Sequence, residues 1–180
     1  FMQATQSLRF SRKDPKQFFK TLNQRVNKYF KEKKVHKTGN WKLYAKTVVM
    51  FALFITPYVL IIVLNISLWY KLLLAIVMGV GMAGIGMNVM HDGNHGSFSK
   101  YPWINKIMGS SIYFLAGNVF NWKIQHNLLH HTYTNIHGHD EDLEAGRVLR
   151  FSKHAEWMPH HRFQHLYFFF LYGLLTINWA

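Results

Sequence analysis

The chain has 180 residues, 49% of them hydrophobic and 17% aromatic, with 21 Lys and Arg against 8 Asp and Glu and a formal net charge of +13. So basic a chain points to a nucleic acid or an anionic membrane as partner. The absence of cysteine excludes disulfides, thiolate-bound haem, cysteine-bound iron–sulfur clusters and Cys-type zinc sites, so any metal must be held by nitrogen and oxygen.

Residues 1–46 form a basic arm, holding thirteen of the twenty-one Lys and Arg against only Asp14 and Glu32. Long apolar stretches begin immediately afterwards, which assigns the charge to a membrane surface and not to nucleic acid. Within the arm, Phe18, Phe19, Leu22, Val26, Tyr29 and Phe30 recur at three- and four-residue spacing between Lys and Arg. Residues 15–34 therefore read as an amphipathic helix, lying either on the membrane or against the rest of the cytoplasmic part.

Residues 47–90 read as a transmembrane hairpin. The stretch 47–70 carries no charge, and a helix of about 20 residues already crosses a hydrocarbon core of about 30 Å. It is the first expected span, with Pro57 as an expected kink. Lys71 separates it from the uncharged stretch 72–90, in which Ala75, Gly79 and Ala83 recur every four residues and would admit a close neighbouring helix. Two spans return the chain to the side of the basic arm, which the excess of Lys and Arg assigns to the cytoplasm. The charged arm ahead of so long an apolar run does not fit a cleavable signal peptide.

Residues 91–165 form the expected cytoplasmic cap, with eleven of the twelve histidines. The stretch 107–122 is apolar but short, as suits a buried or interfacial helix. His91 and His95 stand four apart and share a helix face if the second span continues past the membrane surface, though Gly93 and Gly96 oppose that extension. His126 and His130 repeat the spacing, and His131 falls on an adjacent face, suited to a second metal. Five imidazoles exceed one tetrahedral zinc with an open position, so two metals are the more economical reading. Residues 166–180 are apolar and too short to cross; they read as the start of a third span.

"HDGNHGSF" and "WKIQHNLLHHTYTN", followed by "HDED", resemble the first two histidine boxes of the integral-membrane fatty acid desaturases, most like the acyl-CoA and front-end branch. "KTGNWKLYAKTVVMF" and "HHRFQHLYFFFLYGLL" are similar to the flanks of those boxes in bacterial members. The resemblance implies an all-α membrane fold with a histidine-rich cytoplasmic cap holding two non-haem irons. It implies that His91, His95, His126, His130 and His131 are the iron ligands, and that O2 and an external electron donor such as cytochrome b5 or a ferredoxin are used to desaturate a fatty acyl lipid or acyl-CoA. The residue types agree with that chemistry, since no side chain can take hydrogen from a methylene and imidazole suits iron. Members of this kind carry a third box, Q-x-x-H-H or H-x-x-H-H, which this chain lacks; in "WMPHH" Trp157 stands where the pattern needs Gln or His. The chain is therefore expected to be an N-terminal portion that cannot complete the site alone, with His160, His161 and His165 read as interface histidines at a helix entry in preference to a further ligand or a partner of one.

Three readings stand beside this one. A membrane hydroxylase of fatty acids, alkanes or carotenoids would share the ligands, and a metal carrier would need polar groups at mid-membrane, of which 47–64 offers only Thr56 and Tyr58. His137 and Asp142 match the H-x-x-x-x-D spacing of glycerolipid acyltransferases but leave the five paired histidines unexplained. The acidic run Asp140, Glu141, Asp142 and Glu144 could orient ligating imidazoles, meet a basic partner or arm, or be a solvated loop.

Overall fold

The structure, a computed structural model, describes residues 8, 10, 11, 13, 16–143 and 146–172. Pro15, Glu144 and residues 173–180 of the expected third span lie outside the described residues. Among the described residues every regular element is helical: α1 (Phe18–Lys33), α2 (Trp41–Val63), α3 (Leu68–Asn94), α4 (Pro102–Gly109), α5 (119–133) and α6 (Gln164–Tyr172).

The amphipathic period of the arm does form a helix, α1, but none of its residues is buried. α2 starts at Trp41 because the Asn40 side chain accepts the backbone N–H of Lys42 at 3.0 Å, satisfying one of the free donors of the first turn. The helix thus begins within the basic arm and carries Lys42 and Lys46 on its first turns. It continues through Pro57 to Val63, and the turn follows at 64–67. Lys71 consequently sits in the first turn of α3 instead of separating the spans.

α2 and α3 are both long and apolar enough to cross a membrane, and only 11% and 17% of their most apolar windows are buried within the protein. A soluble core helix would be mostly buried, so these surfaces face lipid and the chain is an all-α membrane protein. The helices meet along a different stripe from the one that small-residue spacing predicts. A Cβ on Gly79 would touch nothing within 4 Å, whereas one on Gly81 would stand 2.6 Å from the Phe54 backbone nitrogen and 2.9 Å from the Met50 carbonyl oxygen. Toward the end of the hairpin, Lys46 Nζ donates to Asn88 Oδ1 at 2.6 Å, and Asn88 Nδ2 donates to the Gly84 carbonyl at 3.1 Å. A lysine at the end of an apolar helix is thereby paired with a side chain of the other.

Past the hairpin the chain folds back on α3. Ile85, Val89 and Phe98 are buried against Leu43, Met50, Phe51, Phe54, Ile104 and Met108, and a second cluster joins Met90, Ile112, Leu115 and Trp122. Gly93 lies so close to the Gly109 nitrogen and the Met108 carbonyl carbon, 2.9 Å from where its Cβ would be, that a side chain there would push α4 away. Asn94 Nδ2 donates to the Gly109 carbonyl at 3.1 Å on the same face. The glycine that weakens the helix in isolation is the one that lets α4 pack. The intervening loop turns at Gly96 (φ +70) and is held by Asn105, which accepts from Ser99 N at 2.7 Å and donates to the Gly96 and Ser99 carbonyls.

Gly81→Ala is expected to destabilise the hairpin by roughly 1–3 kcal/mol, since backbone cannot yield as a side-chain tip can. Gly79→Ala should be neutral or gain up to ~1 kcal/mol from helix propensity. Unfolding of the two variants in mixed micelles, followed by circular dichroism, checks the difference; equal behaviour would contradict this packing.

Candidate metal centre

Two local departures from α-helical geometry position the histidines. The last turns of α3, Ile85–Met90, are π-helical, and the backbone N–H of His91 reaches the carbonyl of Gly86, five residues back. The chain then resumes α-helix over His91–Asn94, and His95 N still donates to the His91 carbonyl at 3.0 Å. The α-helical spacing expected for this pair therefore holds despite Gly93, and the two rings lie 4.5 Å apart between centroids. In α5, after Asn118 caps its first turn by accepting from Phe120 N and Asn121 N, Lys123–His130 is again π-helical, and His131 N reaches the His126 carbonyl.

The wider turn changes which residues share a face. In an α-helix, positions four and five ahead diverge, because a turn closes every 3.6 residues; with i→i+5 bonding both stand over the starting residue. His126 accordingly stacks on His130 at 5.3 Å and 19° and meets His131 edge-on at 4.8 Å. His131 also lies 5.0 Å from His95, and His126 lies 5.2 Å from both His91 and His95. The structure brings all five predicted histidines into one cluster. His131 thus faces the shared centre of the group.

One potential ligand nitrogen from each of His91, His95 and His126 lies within 4.8 Å of the other two. Nε2 of His95 and of His126 are buried with no hydrogen-bond partner. An unmet buried polar atom costs about 1–3 kcal/mol, and two facing one cluster fit a cation that would accept both lone pairs. The electrostatics agree. Desolvation, followed by the neighbouring imidazoles, lowers the pKa of His126 to about 4, and burial with the same kind of neighbours lowers that of His95. Both are neutral near pH 7, as a ligand must be.

His130 differs. Its Nδ1 donates to Asp140 Oδ1 at 3.0 Å, and that hydrogen bond, opposed by burial, raises its pKa. Asp140 is 1% exposed. Burial pushes its carboxyl up, but donation from His130, from Asn135 N at 2.7 Å and from Asp142 N at 3.1 Å prevails and holds it below the usual carboxylate range. His130, Asp140 and Asp142 also lie close enough to suggest a cation site of their own. Both oxygens of Asp140 are already taken by N–H donors, so this group is a hydrogen-bonded anchor.

Other sequence expectations separate here. Asp142 Oδ2 lies 3.1 Å from His130 Nδ1, which places that carboxylate beside the histidine cluster. His160 and His161 each place Nε2 at the Arg147 carbonyl, at 2.8 and 3.0 Å, and His161 Nδ1 accepts from Met158 N, which ties both rings to their own loop. Trp122 was not legible as part of the site: its buried indole stacks on His126 at 4.5 Å and 25° and flanks His91 and His95 at 5.8 and 5.4 Å. The only signal for it was an aromatic residue four positions before His126.

A family model described as fatty acid desaturase matches residues 67–180. The chain is 37% identical to the sn-1 linoleoyl-lipid 6-desaturase of Arthrospira platensis, over 91% of this chain and 44% of that protein. It is 32% identical to the protein of the same name from Synechocystis, over 99% of this chain and 49% of that one. It is also 32% identical to the acyl-lipid (8-3)-desaturase of Mortierella alpina, over 92% of this chain and 38% of that protein. The chain spans about half the length, or less, of the curated relatives it matches. No solved structure matches.

The two kinds of histidine give opposite pH dependences in the metal-free chain. His126, with its pKa depressed to about 4 in the fold, contributes stability above the unfolded value of about 6.5 that is lost as pH falls toward 4. His130, with its pKa raised, contributes stability below about 6.5 that is lost as pH climbs through its folded value. Denaturation in mixed micelles between pH 4 and 7 should show falling stability on acidification, and His126→Gln should flatten that slope. A slope unchanged in the variant would refute the assignment.

Proposed function

The chain belongs to the fatty acid desaturase family, and from that premise we propose that it is the part of an O2-dependent fatty acyl desaturase that carries the first two groups of metal-ligating histidines. The observation that carries this reading is the convergence of five imidazoles, two of them with bare buried nitrogens, at the end of a lipid-facing helical hairpin. His91, His95, His126, His130 and His131 would hold two non-haem irons, with the remaining ligands supplied by sequence beyond residue 180. Bound iron, with O2 and electrons from a donor such as cytochrome b5 or a ferredoxin, supplies the oxidising power to remove two hydrogens from an unactivated acyl chain.

The chain's own residues prepare that site. His95 and His126 are kept neutral by burial, so their lone pairs are available without loss of a proton. Trp122, Met90, Ile112 and Leu115 pack as an apolar floor beside the rings and limit access of water. The relatives named as acting on acyl-lipids favour a lipid-linked acyl chain over acyl-CoA as substrate. The basic arm and both histidine groups would lie on the cytoplasmic side of a multi-pass protein, as the concentration of Lys and Arg before α2 supports.

Gas chromatography–mass spectrometry of fatty acids from cells expressing the longer reading frame should reveal a new double bond, absent with residues 1–180 alone. His95→Ala or His130→Ala in the longer protein should abolish that product while leaving membrane insertion intact. Hydroxylated products in place of a double bond would overturn desaturation and keep the metal reading; activity surviving either substitution would remove that residue from the ligand set.

A further inference from the structure

Asp140 is among the most deeply buried side chains described and the only acidic one among them. A carboxylate so placed is costly to bury unless donors surround it, and here three do: Asn135 N, Asp142 N and His130 Nδ1. The two backbone donors come from the loop 134–142 that follows α5, so the carboxylate is fixed before His130 is considered. A fixed, ionised acceptor can receive only an N–H. It therefore selects the imidazole tautomer with the proton on Nδ1 and leaves the Nε2 lone pair for the cluster, while restricting rotation of the ring that stacks on His126.

We infer that Asp140 is the positioning residue of the site: it sets the tautomer and orientation of His130, whereas Asp142, also beside His130 but largely exposed, does not. This rests on the metal reading above, with His130 as a ligand. Of the two carboxylates within 3.1 Å of His130 Nδ1, only that of Asp140 is buried and held by two backbone N–H groups, against 57% side-chain exposure for Asp142. Water can replace Asp142 at little cost, whereas Asp142, more than half exposed, can replace the buried Asp140 only in part.

The test uses the whole 180-residue chain in nanodiscs. Imidazole 15N NMR of the metal-free protein at pH 8 should show His130 as the Nδ1–H tautomer, with Asp140→Ala shifting it toward Nε2–H and Asp142→Ala leaving it unchanged. Titration with Co2+, followed by its visible absorption, should give an affinity 10–100-fold weaker in Asp140→Ala and within about twofold of the parent in Asp142→Ala. An Nε2–H tautomer in the parent would overturn the inference by itself, even if Asp140→Ala failed to fold. So would a well-folded Asp140→Ala with unchanged tautomer, or loss of Co2+ binding without a tautomer change, which would make Asp140 merely structural. Should the parent bind no Co2+ at all, these five histidines do not suffice to hold a metal without the further ligands of the longer protein, and the tautomer result alone decides what Asp140 does to His130.

Discussion

Five imidazole rings can share a space in which neighbouring centroids are 4.5–5.5 Å apart only if the inner rings carry no charge. Two protonated imidazoles at that separation would repel strongly in a poorly hydrated pocket. Much of the surrounding architecture serves that condition. The cluster sits at the end of an apolar helix, against Trp122 and a patch of Met, Ile and Leu. The carboxylates that would favour protonation engage the outward Nδ1 atoms, Asp140 and Asp142 at His130 and Asp92 at His91. Neutrality inside and held charge outside set the inner rings of His95 and His126 apart from His91 and His130, whose Nδ1 atoms face carboxylates.

Helix geometry supplies the convergence. An ordinary α-helix across 123–131 would fan His131 away from His126; i→i+5 bonding draws four- and five-residue neighbours onto one face. The same device interrupts α3 just before His91. Two π-helical segments in one small domain, each beside a histidine group, indicate that the backbone departs from its most stable form where the side chains need it.

How far the sequence foretold this differs by level. The helical hairpin was legible because uncharged runs of such length have few other fates, and the five histidines because their spacing repeats beside apolar segments. The boundaries were less so: the Asn40 cap starts α2 ahead of the charge-free run, and the turn at 64–67 has no charge to mark it. The contact stripe was misplaced, since Gly79 and Gly81 look alike in sequence and only the partner helix tells them apart. Gly93 weakens a helix in isolation, and its value lies in a contact sixteen residues away, at Gly109. Trp122 and the special standing of Asp140 depend on burial, to which residue spacing is blind.

The tethers around the loop 96–101 also carry an order of events. Gly39 N donates to the Ser97 carbonyl at 3.1 Å, Asn105 laces the loop to itself, and Asn94 holds Gly109. All of these residues precede His126 in the chain. The loop after His91 and His95 is therefore tied down by contacts that do not need the second histidine group, and the later rings can dock onto it. The site is built as a template and its cover, so folding need not gather all five rings at once.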